Sequence, residues 1–175
     1  DLREQLIALI PSQQGHSWRG HSDSETLLAC IEEWGLENTL RKTVGMFAIA
    51  VWDTHTHTLH LARDRFGEKP LHLVKYSNSV FFSSQYDSAS YFVKKTSGVE
   101  IDQNALSSYL SLGYVPYRQS IVRGIEKITP GGKFTLNLKS PDWILAQQSR
   151  WIAPFEVTTS KNYTSEELEE TLRKS

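Results

Sequence analysis

Few residues in this 175-residue chain have the type and spacing to do chemistry. His55-x-His57-x-x-His60 is its histidine cluster. As metal ligands these would have to converge, yet His57 and His60 point to opposite faces if both lie on a strand. The competing reading makes them polar hairpin residues, and no metal ligand set is expected. Cys30 is the single cysteine, so there is no intrachain disulfide. It is either a nucleophile or, because it falls beside an apolar helical stripe, a small buried thiol. Asp23 lies inside Ser22-Asp23-Ser24-Glu25, an S-x-x-E capping box, which places it in the first turn of a helix. A carboxylate there either stabilises the helix dipole or offers itself to a cationic ligand. The loop Arg63-Asp64-Arg65-Phe66-Gly67-Glu68-Lys69-Pro70 carries three cations and two anions, which read as an internal salt-bridge network or a binding site.

The elements that must position these groups are organised around Gly45–Leu71. In it Met46, Ala48, Ala50 and Trp52 alternate with Phe47, Ile49 and Val51, so a strand there is apolar on both faces. Such a strand belongs in the middle of a layered structure. Asp53–His57 is turn material and Thr58–Ala62 a returning strand. Leu71–Tyr76 and Val80–Ser84 form a second pair around Ser77-Asn78-Ser79, and short loops suggest a four-stranded antiparallel meander. Lys133–Leu138 follows as a strand after the Pro130-Gly131-Gly132 turn.

Leu2, Leu6 and Ile10 define a first helix, stopped by Pro11. Leu27, Leu28, Ile31 and Trp34 define a second over 23–34, ended by Gly35. Asp87–Lys94 reads as a short helix. Asp102 caps a further one to Leu112, with Ala105, Leu106, Tyr109 and Leu110 as its buried stripe. Lys139–Gln148 is irregular. Thr164-Ser165-Glu166-Glu167 opens a last helix containing Leu168 and Leu172.

Composition narrows the classes. Net charge is −1 with mixed signs, giving no case for nucleic acid or a membrane surface. No apolar run approaches the roughly 20 residues of a membrane span. One cysteine fits a reducing, cytoplasmic setting. The residues by themselves reach an α+β domain with no self-sufficient catalytic group.

Motifs reach further. Arg19-Gly20-His21-Ser22-Asp23-Ser24-Glu25-Thr26-Leu27-Leu28, Gly45-Met46-Phe47-Ala48, Trp52-Asp53 and Leu61 to Leu71, with Gly113-Tyr114-Val115-Pro116, Gly124-Ile125, Lys127 to Gly131 and Arg150-Trp151, closely resemble the glutamine-hydrolysing asparagine synthetases, which are class II glutamine amidotransferases. The resemblance implies a glutaminase domain of N-terminal-nucleophile type, a four-layer αββα sandwich with antiparallel sheets. The domain would occupy 1–153, a linker 154–163 and the first helix of the synthetase domain 164–175.

In the family an N-terminal cysteine attacks the glutamine side-chain amide, and a second domain uses ATP and Mg2+ to activate aspartate for the released ammonia. Asp23 is the position that carries over, as the ligand of the glutamine α-amino group. The nucleophile, the carboxylate-binding arginine and the Asn-Gly oxyanion pair lie upstream in the family. No catalytic residue or cofactor is therefore assigned in this chain, whose residue 1 is Asp1. The chain is expected to be a fragment lacking the first strands, with an unpaired sheet edge, and inactive alone. Gln85 stands where the family usually has glutamate. Expected partners are glutamine, with aspartate and ATP through the synthetase domain, and a homodimer is compatible. The alternatives are an amidotransferase acting on a polysaccharide carboxylate, or a non-catalytic glutamine-binding module.

Overall fold

The computed structural model describes residues 2–9, 18–116, 118–140, 148–151 and 164–174. Its helices are α1 (Leu2–Leu9), α2 (Asp23–Lys42), α3 (Tyr86–Thr96), α4 (Gln103–Leu112) and α5 (Ser165–Lys174). Its strands are β1 (Ala48–Asp53), β2 (Thr58–Arg63), β3 (His72–Tyr76), β4 (Ser79–Ser83), β5 (Ile125–Lys127), β6 (Gly132–Asn137) and β7 (Gln148–Arg150).

The strands form two antiparallel sheets, not one meander. One sheet has the order β1-β2-β6-β7 and the other β4-β3-β5. Each predicted hairpin forms, with Ala50 opposite Leu61 in the first and Leu73 opposite Phe82 in the second. The step between hairpins, however, crosses from sheet to sheet. Alternation decides which faces are apolar and says nothing about which strand a hairpin joins.

The period-two pattern then builds the layers. Leu59 and Leu61 of β2 with Phe134 and Leu136 of β6 meet Leu73 of β3 and Val80 of β4 between the sheets, closed by Leu71 and Ile128. On the outer face of the four-stranded sheet, Leu36 and Leu40 of α2 cover Phe47, Ile49, Ala62 and Trp151. On the far side, Ala89 and Val93 of α3 pack on Val74 and Ile125. α1 lies on the first half of α2 through Leu6, Ala29 and Cys30. The result is the expected four-layer αββα sandwich. β1 is apolar on both faces as read, but it is the outer strand of its sheet among the described residues, and Met46 and Trp52 stay substantially exposed.

Three local readings are corrected. Gly35 (φ 75°, ψ 162°) breaks the second helix where expected, but the chain re-enters a helix and continues to Lys42. The short run Leu36–Lys42 holds too few apolar residues to announce itself. Asp102 does cap α4, accepting from the amides of Asn104 and Ala105 at 2.9 Å. Of the predicted stripe, however, only Ala105 is buried, while Leu110 is 76% exposed. β5 and β7, three residues each, were not legible, since three residues carry almost no periodicity. The Thr164–Glu167 box is formed, with Glu167 Oε2 accepting from the Thr164 amide at 2.9 Å and Thr164 Oγ1 accepting from the Glu167 amide at 3.3 Å. Ile10 and the 154–163 segment read as a linker fall outside the described residues.

The crossover between the sheets is held by Asp64, 2% exposed. Its Oδ1 accepts from the amides of Phe66 at 3.1 Å and Glu68 at 3.0 Å, and Oδ2 from that of Lys69 at 3.0 Å. Its own amide donates to the Phe47 carbonyl, and its carbonyl accepts from Gly67 and Gly131. Two cations of the loop reach main-chain carbonyls. The Arg63 guanidinium donates to the carbonyls of Lys69 (2.6 Å), Ile128 (2.7 Å) and Gly67. Arg65 donates to those of Arg41 (2.6 Å) and Thr43. Gly67 is required at its position. Its φ is +69°, and a Cβ there would meet Pro130 Cγ at 2.8 Å.

Burial pushes the Asp64 carboxyl up, but the amides of Lys69, Glu68 and Gly67 outweigh it, so the net shift is downward. An unfolded aspartate titrates near about 3.9, and the folded value is lower. The stabilisation is therefore complete above the unfolded value and is lost as pH falls through the folded one. Asp64→Asn, which faces an NH2 donor into amide donors, is expected to cost about 1–3 kcal/mol at neutral pH. That gap should narrow below about pH 4. Urea unfolding of both proteins at pH 7 and at acid pH measures it, and a pH-independent gap would contradict a role for the charge.

Candidate functional site

The site grows from the start of α2. Ser22 is its N-cap (φ −73°, ψ 136°), its Oγ accepting from the Ser24 amide at 3.2 Å and its carbonyl accepting from the Thr26 amide. Asp23 is the first helical residue, exposed at the positive end of the dipole. Glu25 reaches further back, its two oxygens accepting from the amides of Arg19 (2.7 Å) and Gly20 (3.1 Å).

Arg3 of α1 completes this clamp. It donates to the Gly20 carbonyl at 3.1 Å and Thr26 Oγ1 at 3.2 Å, lies 3.7 Å from Glu25 and stacks 4.0 Å over the Trp18 ring. The segment leading into Asp23 is thus fixed by two charged side chains, which leaves the Asp23 carboxylate facing open space.

That space is a cavity of about 490 Å3 between the start of α2 and the approach to β1. Asp23, His21 and Thr26 line one side, and Thr43, Val44 and Met46 the other. Thr43 is held by its Oγ1 and its amide, which donate to the Thr39 carbonyl at 2.8 Å and 2.9 Å, and by its own carbonyl, which accepts from Arg65. Sequence reading found Asp23 because a cap is a local pattern. It missed the opposite wall and the clamp through Arg3, since those contacts join residues about twenty positions apart, and no local signal marks them.

The other candidates lie elsewhere. Cys30 is fully buried in the α1–α2 contact, away from the cavity lining. Burial pushes its thiol pKa up, against a weaker opposing effect of Lys42. His60 is half-buried with Nδ1 3.1 Å from Thr135 Oγ1, and His57 sits edge-on to Trp52 at 6.1 Å. Among the described residues no group of three or more His, Cys, Asp or Glu side chains could hold a metal. Gln85 precedes α3 as its N-cap without a side-chain capping bond.

With the sandwich and this cavity in place, the relatives can be named. The glutamine amidotransferase domain family matches residues 1–145. The chain belongs to that family. Asparagine synthetase [glutamine-hydrolyzing] 1 of Bacillus subtilis is 35% identical over 136 residues, 78% of this chain and 20% of the relative. A putative asparagine synthetase of Mycobacterium bovis is 35% identical over 132 residues, 75% and 20% of the two chains. This amidotransferase chain thus spans about a fifth of the length of these relatives. Among solved structures, the glutamine phosphoribosylpyrophosphate amidotransferase of B. subtilis, complexed with ADP and GMP, superposes with a TM-score of 0.51. It does so at 18% identity, over 88% of this chain and 27% of its own. At that identity the likeness speaks to fold, and it agrees with the N-terminal-nucleophile-type sandwich. No helix among the described residues is long and apolar enough to cross a membrane.

The burial of Cys30 gives a direct test. Its thiol should be nearly inert to an aromatic disulfide reagent in the native amidotransferase chain and react fully in guanidinium. Rapid native labelling at neutral pH would mean that the α1–α2 contact opens readily.

Proposed function

We propose that this chain is the later part of the glutaminase domain of a glutamine-dependent asparagine synthetase. In that enzyme glutamine would be hydrolysed to supply ammonia for ATP-dependent amidation of aspartate. The observation that carries the reading is the placement of Asp23: a carboxylate with no structural partner of its own among the described residues, at a helix start, facing a cavity large enough for an amino acid. In a glutamine amidotransferase chain whose relatives are asparagine synthetases, the matching ligand is the glutamine ammonium, held by a charge-assisted hydrogen bond.

The division of labour follows. Asp23 orients glutamine, and Glu25 with Arg3 holds the backbone that presents Asp23. The Arg65–Thr43 contact fixes the opposite wall. The nucleophile, the oxyanion donors, the aspartate site and the ATP site belong to the rest of the enzyme, and ATP would supply the activation of the acceptor carboxylate there. None of the described residues is assigned to ATP or Mg2+. The 1–153 glutaminase portion, the 154–163 linker and the 164–175 opening of the next domain, in a cytoplasmic enzyme, complete the proposal.

Two experiments test it. Assayed alone, the 175-residue chain should release no glutamate from glutamine; hydrolysis abolished by Cys30→Ala would instead make the buried thiol the nucleophile. In the complete enzyme, Asp23→Asn keeps the helix start, where an anion contributes only about 0.3–1 kcal/mol. Loss of the ammonium's partner should cost more, about 1.5–3 kcal/mol, or roughly ten- to hundredfold in glutamine kcat/KM. Ammonia-dependent synthesis should change little. The glutamine-to-ammonia activity ratio is the readout, and an unchanged ratio would reduce Asp23 to a helix-start residue.

A further inference from the structure

We propose that a second cavity, of about 400 Å3 and walled by Arg65, Phe66, Arg118, Thr129, Pro130 and Arg150, binds a phosphate-bearing small molecule. Three arginines line this space, and among the described residues no carboxylate does. Arginine stays charged at any physiological pH, so the lining of this cavity keeps a positive charge that an anion would complement. Some other cations of the chain are paired with carboxylates: Lys133 lies 2.6 Å from Glu37, Arg123 2.6 Å from Glu100 and Lys75 3.4 Å from Glu126. Arg118 and Arg150 have no side-chain hydrogen-bond or ion-pair partner among the described residues. Their forks are therefore available for bidentate contacts.

The remaining walls are built to stay in place. Arg65 is fixed through the carbonyls of Arg41 and Thr43 and lies 5.1 Å from the Trp151 ring centroid, so it contributes a fixed charge. Pro130 and Arg150 flank a backbone tie in which the Gly131 amide donates to Asp64 and the Trp151 amide donates to Gly131. Thr129 is 9% exposed, and its buried Oγ1 has no hydrogen-bond partner. Arg118 adopts φ 68°, a left-handed conformation uncommon for arginine.

Charge favours phosphate over a lone carboxylate. A phosphate monoester carries about −1.5 to −2 near neutral pH, which matches three guanidiniums better than a single negative charge. The volume exceeds that of a bare phosphate, and Phe66, 72% exposed at the rim, gives an organic remainder an apolar face. The glutamine reading of the first cavity is not needed for this one.

Inorganic pyrophosphate is the probe, titrated calorimetrically into the 175-residue chain at fixed ionic strength, with citrate in a parallel titration. Saturable binding of pyrophosphate is expected, weakened at least about tenfold by Arg118→Gln combined with Arg150→Gln and measurably by Arg118→Gln alone. Arg123→Gln, whose side chain pairs with Glu100 outside this cavity, should bind like the unsubstituted chain. Circular dichroism establishes that each variant is folded. Absence of saturable binding, full affinity in the folded double variant, or equally tight citrate binding would each overturn the proposal.

Discussion

The structure depends on one buried carboxylate gathering main-chain donors. Asp64 sits where the chain leaves the first sheet for the second, and its two oxygens accept the loop amides of Phe66, Glu68 and Lys69 while its own peptide group bonds Phe47, Gly67 and Gly131. A loop that passes between two packed sheets has no strand to satisfy its amides, and leaving them unpaired would be costly. Arg63 does the same for the carbonyls, taking those of Gly67, Lys69 and Ile128. Two opposite charges, adjacent in sequence, thus solve the donor and the acceptor halves of one problem. Gly67 and Gly132 are the positions where backbone runs too close to its surroundings for a Cβ, the latter with Thr129 O 2.6 Å away from where it would lie.

What was legible in the sequence follows from range. Alternation in Met46–Trp52 and Thr58–Ala62, the cap at Asp102 and the helix break at Gly35 are encoded within a few residues, and they stand, although the chain resumes a helix after that break. The pairing of β2 with β6, which sets Leu61 opposite Phe134, joins positions more than seventy residues apart, and no local pattern specifies it. The resemblance supplied the two-sheet arrangement where periodicity suggested a meander. Helix α4 misled for a different reason. Its apolar residues have helical spacing, yet Tyr109, Leu110 and Leu112 remain exposed, so periodicity identified a face without identifying its neighbour.

The candidate site divides along the same line. Asp23 was readable because the S-x-x-E pattern is local, while the hold of Glu25 on Arg19 and Gly20 is not part of that pattern. The charged loop reads as ion pairs or a site, and composition does not reveal the main-chain hydrogen bonds that Arg63, Asp64 and Arg65 make there. Arg118 and Arg150, 32 residues apart, gave no sign that they share a cavity.

Arg65 connects the two cavities. It lines the arginine-rich one, and through its hydrogen bond to the Thr43 carbonyl it steadies a wall of the one that Asp23 faces. Both of its terminal nitrogens donate at the C-terminal end of α2, where carbonyls carry the negative end of the helix dipole. A ligand that recruited those nitrogens would have to release the Arg41 and Thr43 carbonyls, and the first cavity would lose that support. A ligand that used only Arg118 and Arg150 would leave the hold intact. Any influence of one site on the other that runs through this contact is by linkage equal in both directions. The hydrogen bonds of Arg65 are already made, so recruiting it to a ligand carries the cost of leaving two helix-end carbonyls without these donors.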